Sequence, residues 1–179
     1  MPPEPESSEP VFDGAVFQVH RERWLGVDGA YDVVRHVGAA AVLPVMPSGE
    51  VLLVRQFRPA IRQQLVEIPA GLLDQRDEDA LTCAARELFE ETGYRHEWIE
   101  FLGGVYTTAG FSDEYVHLFR AGTAAEPERE PEPGIELLRE PFDELVAAAR
   151  AGRVRDAKTA VALLMAAGRP TDGGVGGVR

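Results

Sequence analysis

The order of apolar and polar positions along the chain predicts many short strands around one amphipathic helix. Short apolar or alternating runs bounded by Gly, Pro, Asn, Asp or Ser are typical of strands. Such runs occupy residues 16–20, 31–36, 39–45, 51–56, 65–69, 98–106, 114–120 and 135–139. Turn residues fill positions 46–50 between two apolar runs, so we expect a β-hairpin there.

The helical patterns lie in the middle and near the end of the chain. From residue 77 to Thr92 the less polar residues Leu81, Ala84 and Leu88 recur at helical spacing, and Gly93 follows as a C-cap. Residues 141–152 and 156–168 predict two further helices. Many strands with few helices indicate an α+β fold in which sheet and helices pack in layers.

Composition changes along the chain and divides it into four parts. Residues 1–10 are polar and rich in Pro, and residues 169–179 are rich in Gly, so both predict disordered tails. Residues 11–38 predict an N-terminal strand region, and residues 39–168 predict the main domain.

Charge and cysteine content exclude several classes of function. The formal net charge is −12 and Lys158 is the only lysine, so nucleic acid is not expected as a partner. Cys83 stands alone, which excludes an internal disulfide and suits a reducing cytoplasm. No run is long enough to cross a bilayer, so we expect a soluble cytoplasmic protein without membrane contacts.

Three glutamates share one face of the central predicted helix. Glu87, Glu90 and Glu91 are spaced at i, i+3 and i+4. Two carboxylates about 6 Å apart repel by about 3 kcal/mol at an effective dielectric constant near 20. The cluster is therefore either a solvated outer face or a site built around a cation.

The surroundings of these glutamates resemble a known motif. Glu78, seven further residues and then residues 86–94 (Arg-Glu-Leu-Phe-Glu-Glu-Thr-Gly-Tyr) are similar to the box of the Nudix hydrolase family. The family pattern has a glycine six positions before Glu78, where this chain has Leu72 and the nearest glycine is Gly71. The resemblance implies a Nudix-type α/β/α sandwich with a mixed central sheet and an N-terminal antiparallel strand region.

The resemblance also implies a metal site. It makes Glu87, Glu90 and Glu91 the ligands of Mg²⁺, or of Mn²⁺ in its place, with the backbone carbonyl of Ala70 as a further ligand. These are the hard oxygen donors that Mg²⁺ requires. The resemblance gives Glu91 a catalytic role as well. Arg86 and Glu78 resemble a pair that braces the loop against the helix.

Four more stretches are similar to the ADP-ribose pyrophosphatase branch of this family. They are residues 54–58, 65–74, 110–114 and 156–159, and with the box they cover about residues 30–168. The branch carries proline where this chain has Ala109, in a loop near the sugar end of the substrate. That departure leaves the hydrolase class intact and keeps other nucleoside diphosphate substrates open.

The resemblance assigns the remaining site residues. It places the general base in the acidic loop over residues 126–134, with Glu132 as first candidate and Glu130 as second. Expected substrate-binding residues are Arg58, Arg55, Glu67 and Glu114. The alternatives from the residues alone are a solvated Pro-Glu loop and surface charges at strand ends.

The expected activity is Mg²⁺-dependent hydrolysis of ADP-ribose, or of a related nucleoside diphosphate sugar, to AMP and ribose 5-phosphate. The resemblance further implies a homodimer whose N-terminal strands cross to the partner. Two alternatives stay open: a Nudix hydrolase acting on another nucleoside diphosphate derivative, and a non-enzymatic ligand sensor with the same fold.

Overall fold

The computed structural model describes residues 4–75 and 78–169, which form ten strands and three helices. The strands are β1 (Ser7–Asp13), β2 (Phe17–Arg23), β3 (Tyr31–His36), β4 (Ala39–Val45), β5 (Glu50–Arg58), β6 (Gln63–Glu67), β7 (Ala70–Leu72), β8 (His96–Tyr106), β9 (Tyr115–Thr123) and β10 (Glu136–Pro141). The helices are α1 (Ala80–Thr92), α2 (Phe142–Arg150) and α3 (Ala157–Ala166).

The strands form two sheets. β1, β2 and β3 make a small antiparallel sheet. The larger sheet has the order β10-β5-β4-β9-β8, with β6 added beside β5 and β7 beside β4. β4 runs parallel to β9, and the other pairs in this sheet are antiparallel. The predicted mixed central sheet, N-terminal antiparallel strands and hairpin between β4 and β5 are confirmed.

Strand β4 lies at the centre of the fold because both of its faces are buried. Ala39, Ala41 and Leu43 join a core cluster that includes side chains of α2 and α3. Ala40 and Val42 face a second cluster with side chains of α1. Side chains alternate between the two faces of a strand, so α1 covers one face and α2 with α3 the other. This arrangement confirms the α/β/α sandwich.

The predicted disordered tail over residues 1–10 is wrong for residues 7–10. These residues begin β1 and pair with β2, for example Ser7 with Arg23. All seven residues of β1 are exposed, so no apolar pattern marks the strand and its backbone pairing holds it. Pro10 stands at an irregularity in this pairing, where a residue without an N–H is tolerated. Residues 1–3 lie outside the described residues.

The other predicted boundaries are less affected. Arg169 falls within the predicted C-terminal tail, but its guanidinium donates to the carbonyls of Phe101 and Leu102 at 3.1 Å. Residues 170–179 lie outside the described residues. The division between an N-terminal region over 11–38 and a main domain over 39–168 stays a prediction. None of the helices in the described ranges is long and apolar enough to cross a membrane.

Candidate active site

Helix α1 carries the three glutamates and begins and ends at identifiable residues. Asp79 is the N-cap, and its carboxylate accepts from the Thr82 N–H at 2.7 Å. The helix therefore begins at Ala80 rather than at 77, a position that lies outside the described residues. Gly93 ends it with φ +78°, a left-handed conformation that glycine adopts without strain. The predicted C-cap is confirmed.

Arg86 is the centre of an ion network on α1. Its guanidinium donates two hydrogen bonds to Glu78, at 2.9 and 3.0 Å, so these two residues form the expected pair. The same guanidinium donates to Glu87 at 2.5 Å and to Glu90 at 2.9 Å. The hydrogen bonds from Arg86 hold the pKa of Glu78 below its ordinary value. Arg86 thereby ties the start of α1 to its acidic face.

Glu91 is the most deeply buried of the three glutamates, with 6% of its surface exposed. One carboxylate oxygen accepts from the Ala70 N–H at 3.1 Å. Burial raises the pKa of Glu91 to about 7, and the charge of Glu87 adds to the effect. Burial likewise raises the pKa of Glu87. Both carboxylates are therefore poorly solvated as anions, unlike the surface glutamates of an ordinary exposed helix.

Gly71 leaves room for the Glu87 carboxylate. A Cβ added at position 71 would lie 1.9 Å from Glu87 Oε1, far inside contact distance. Leu72 follows in β7, where it pairs with Ala39 of β4. Gly71 is thus the glycine that faces the acidic helix, although the family pattern counts one residue fewer in the loop. Residues 76–77 of that loop lie outside the described residues.

The donor set on α1 suits a hard divalent cation in its chemistry. The cluster contains four carboxylates, from Glu78, Glu87, Glu90 and Glu91. The guanidinium of Arg86 pairs with three of them, Glu78, Glu87 and Glu90. Within the described residues, no three His, Cys, Asp or Glu side chains are already arranged around a common metal position. Arg86 instead donates to both Glu87 and Glu90 and so lies between their carboxylates.

A cavity of about 590 Å³ opens beside these glutamates. Ala70 and Gly71 line the cavity and also contact Glu91 and Glu87. The volume is in the range of small-molecule sites. The cavity and the acidic face of α1 are therefore two parts of one site, joined by strand β7.

The cavity wall also carries a cluster of charges in which cations and carboxylates are equal in number. Arg58 donates to both oxygens of Glu67, at 2.6 and 3.0 Å. Lys158 contacts Glu67 as well, and donates to Asp156 at 3.0 Å. Burial opposes ionisation of Glu67, but the hydrogen bond from Arg58 and the charge of Lys158 hold its pKa below the ordinary value. Two cations thus neutralise two carboxylates there.

Of the other two expected substrate-binding residues, one lines the cavity and one does not. Glu114 lines the cavity, where it accepts from the Thr107 hydroxyl at 2.5 Å and lies 3.7 Å from His36. Arg55 does not line it: its guanidinium donates to both carboxylate oxygens of Glu136 at 3.0 Å and borders a separate cavity. The structure therefore brings Arg58, Glu67 and Glu114 together and leaves Arg55 outside.

The acidic loop, residues 126–134, carries the two candidates for the general base. Glu132 and Glu130 are both exposed. The charge of Glu132 contributes to the raised pKa of Glu87, so Glu132 lies near the acidic face of α1. Glu87 is thus a neighbour of Glu132 on that face.

Sequence reasoning missed the roles of Lys158, Asp156 and Gln56. Asp156 caps α3 by accepting from the Thr159 N–H at 3.0 Å, and the Thr159 hydroxyl accepts from the Ile68 N–H at 2.9 Å. Gln56 lies 3.5 Å from Glu91. A signal existed for one of them: Lys158 is the only lysine of the chain, within a stretch that resembled the family.

The loop with Ala109 contacts the N-terminal sheet. The Val34 N–H of β3 donates to the Phe111 carbonyl at 2.7 Å. Arg35 of β3 donates to Asp113 at 3.1 Å and also pairs with the buried carboxylate of Glu22. The small sheet is thus hydrogen-bonded to the loop between β8 and β9, which also carries Glu114.

Comparison with known proteins defines the family. The NUDIX domain model matches residues 34–163, and the chain belongs to this family. An ADP-ribose pyrophosphatase of Bacillus subtilis (strain 168) is 35% identical over 164 residues, covering 88% of both chains. A GDP-mannose pyrophosphatase of Cronobacter sakazakii (strain ATCC BAA-894) is 37% identical over 162 residues, covering 84% of this chain and 79% of the relative.

A solved structure supports the fold assignment. A crystal structure described as an ADP compounds hydrolase superposes with a TM-score of 0.76 at 21% identity, covering 94% of each chain. The expected Nudix membership, its resemblance to ADP-ribose pyrophosphatases and the fold class are thereby confirmed.

Proposed function

We propose that this protein hydrolyses ADP-ribose to AMP and ribose 5-phosphate with Mg²⁺ as its cofactor. The observation that carries the proposal is the contact of Glu87 and Glu91 with Gly71 and Ala70, which line the 590 Å³ cavity. Carboxylates that are buried and short of cations thus border a space of ligand size. Family membership and the names of the relatives support the class of Nudix pyrophosphohydrolase.

The metal would be held by Glu87, Glu90, Glu91 and the carbonyl of Ala70. When bound, it supplies charge neutralisation for a diphosphate and polarises the phosphoryl oxygens. That role addresses a physical difficulty of this chain, whose net charge of −12 repels an anionic substrate. Manganese, with similar oxygen preference, is a substitute in the same proposal.

The protein groups have separate tasks in this mechanism. Water adds to one phosphorus of the diphosphate, the P–O bond to the other phosphate breaks, and Glu132 accepts the proton that the water loses. Arg58 is fixed by Glu67 at the cavity wall and donates from there to a phosphate or ribose oxygen of the substrate. Glu130 is the second candidate for the base.

We also propose that the protein is a homodimer in the cytoplasm. The N-terminal sheet exposes large apolar side chains, among them Val11, Phe12, Phe17 and Tyr31. An exposed apolar patch of this kind is typical of an interaction surface. The single cysteine, Cys83, is buried and free, which suits a reducing compartment.

A second candidate substrate is another nucleoside diphosphate sugar such as GDP-mannose. Two observations favour it: one relative is named GDP-mannose pyrophosphatase, and Ala109 replaces the proline that the ADP-ribose branch carries. The non-enzymatic sensor is the weaker alternative, because a sensor needs no complete set of carboxylates at Glu87, Glu90 and Glu91.

A substrate panel tests the proposal. The protein is incubated with Mg²⁺ and ADP-ribose, GDP-mannose and other nucleoside diphosphate derivatives, and products are separated by anion-exchange chromatography. We expect AMP and ribose 5-phosphate from ADP-ribose, with a loss of about 1,000-fold in Glu91→Gln. Glu144→Gln, an exposed carboxylate on α2, is the matched control and should keep full activity. Absence of turnover with every substrate would refute the proposal that the protein is an enzyme. Preference for another nucleoside diphosphate sugar would refute ADP-ribose as its substrate.

A further inference from the structure

The acidic loop, residues 126–134, is attached to the C-terminal end of α1. The Glu128 N–H donates to the Gly93 carbonyl at 2.8 Å. The Arg129 backbone approaches Gly93 so closely that an added Cβ there would lie 1.9 Å from the Arg129 carbonyl oxygen. The loop backbone thus packs directly against the residue that ends the metal-site helix. A loop that only solvates the surface needs no such contact.

Side chains reinforce this attachment around a single aromatic ring. The guanidinium carbons of Arg95 and Arg129 lie 4.2 and 5.2 Å from the centre of the Phe89 ring. Arg129 also donates to the Glu90 carbonyl at 3.1 Å. Arg95 donates to Glu128 of the loop at 2.8 Å. Two arginines therefore join the loop to α1 through cation–π and hydrogen-bond contacts.

Phe89 has no evident role in the core. It is half-buried on α1, between Leu88, which packs in the core cluster, and Glu90 on the acidic face. It is absent from the buried clusters formed by the described residues. A large aromatic side chain at a half-exposed helix position is accounted for by the two arginines that it contacts.

The attachment lies close to the candidate base. Glu132 follows Arg129 by three residues, and its charge reaches Glu87. The backbone between them is short, so fixing Arg129 restricts the positions that Glu132 can sample. Without the attachment, ordering the loop would cost conformational entropy in each catalytic cycle.

We propose that Phe89 and Arg129 form a clasp that positions Glu132 over the acidic face of α1. Both are positioning residues, since they contact the loop and helix rather than the substrate. The inference rests on the proposed function, because it gives Glu132 its task as general base. It also explains why Phe89 and Arg129 stand at positions to which the box resemblance assigns no role.

A double-mutant cycle tests whether the clasp acts through Glu132. The kcat and KM for ADP-ribose are measured for the parent, Arg129→Ala, Glu132→Gln and the double variant. We expect Glu132→Gln to lower kcat about 100-fold. Arg129→Ala should lower kcat about tenfold with KM changed less than about twofold. In the Glu132→Gln background, Arg129→Ala should have an effect below about twofold.

Two further variants separate the aromatic contact from general packing. Phe89→Trp keeps a ring for the arginines and should retain kcat within about twofold, whereas Phe89→Leu should resemble Arg129→Ala. Arg150→Ala removes an exposed arginine from α2 and is the matched control for charge. Equal losses in Phe89→Trp and Phe89→Leu, or equal effects of Arg129→Ala in both backgrounds, would overturn the clasp. An unchanged kcat in Glu132→Gln would overturn it as well.

Hydrogen exchange separates failure of the clasp from failure of the proposed function. Amide exchange of residues 126–134 is followed by mass spectrometry without substrate, so the readout needs no activity. We expect exchange about tenfold faster in Arg129→Ala than in the parent and Arg150→Ala. Unchanged exchange would overturn the clasp even in an active enzyme. Faster exchange in a protein without turnover would support the contact and reject only the proposed function.

Discussion

Two charge clusters flank the same cavity and differ in their balance. Around α1, the carboxylates of Glu78, Glu87 and Glu90 share one guanidinium, that of Arg86, and the buried carboxylate of Glu91 accepts from the Ala70 N–H. At the start of α3, Glu67 and Asp156 are matched by Arg58 and Lys158. The α3 cluster is complete in itself and stabilises the fold, while the α1 cluster is short of positive charge. This difference teaches that unpaired charge, rather than charge alone, marks the candidate metal site.

The largest effect is expected from a substitution that removes one cation from the α3 cluster. Lys158→Met leaves Glu67, which is 1% exposed, with only one of its two cations. Loss of one partner from a buried ion cluster costs about 4 kcal/mol of unfolding free energy. Urea denaturation measures it, with the exposed pair of Arg21 and Asp32 as reference, where Arg21→Ala should have a much smaller effect. Similar losses in both variants would contradict a special role for the α3 cluster.

The next-largest effect is expected in the α1 cluster, where a substitution should raise the unfolding free energy instead of lowering it. The pKa of Glu91 is about 7 in the folded protein, against an ordinary value near 4.5. Ionising it therefore destabilises the metal-free protein, from no cost below about pH 4.5 to full cost above pH 7. Glu91→Gln removes that cost and should stabilise the metal-free protein by about 3 kcal/mol at pH 8.

Thermal unfolding at pH 4.5 and pH 8 measures this difference. The gain from Glu91→Gln should vanish at pH 4.5, where the parent carboxyl is protonated. Addition of Mg²⁺ at pH 8 should stabilise the parent and leave the variant unchanged, because binding to the folded state raises its stability. A variant that is less stable than the parent at pH 8 without metal would show that the α1 cluster is balanced after all.

A smaller effect separates geometry from charge in the α1 cluster. Gly71→Ala places a methyl group where the Glu87 carboxylate lies, so the flexible end of Glu87 must move. Displacing such a group by about 1 Å costs about 100-fold in kcat/KM. Gly168→Ala, whose added Cβ would meet no atom within 4 Å, is the control. Mg²⁺-dependent hydrolysis at the parent rate in Gly71→Ala would exclude Glu87 as a ligand in this position.

The sequence predicted best what depends on neighbours along the chain. The helix with Arg86 and Gly93 follows from local spacing and capping, so its register and end were correct. The contact between Lys158 and Glu67 joins residues 91 positions apart, and no local pattern encodes it. Strand β1 was missed for a related reason: its residues are exposed, and only its partner strand orders it.

Arg55 and Arg58 show how strand geometry limits such predictions. Both lie on β5, and the family resemblance named them together. They are three positions apart, and side chains of a strand alternate between its faces, so they point to opposite sides of the sheet. Arg58 meets Glu67 in the cavity, and Arg55 meets Glu136 of β10. The choice between them needed the orientation of the sheet.

The single lysine has a consequence for chemical labelling. Lys158 is the only side-chain amine of the protein, and it lies at the cavity wall with 14% of its side chain exposed. An amine-directed reagent therefore has one internal target, apart from the chain's N-terminus. Its rate of acylation reports directly on whether the cavity is covered, so occupancy by any bound molecule becomes visible as a single mass shift.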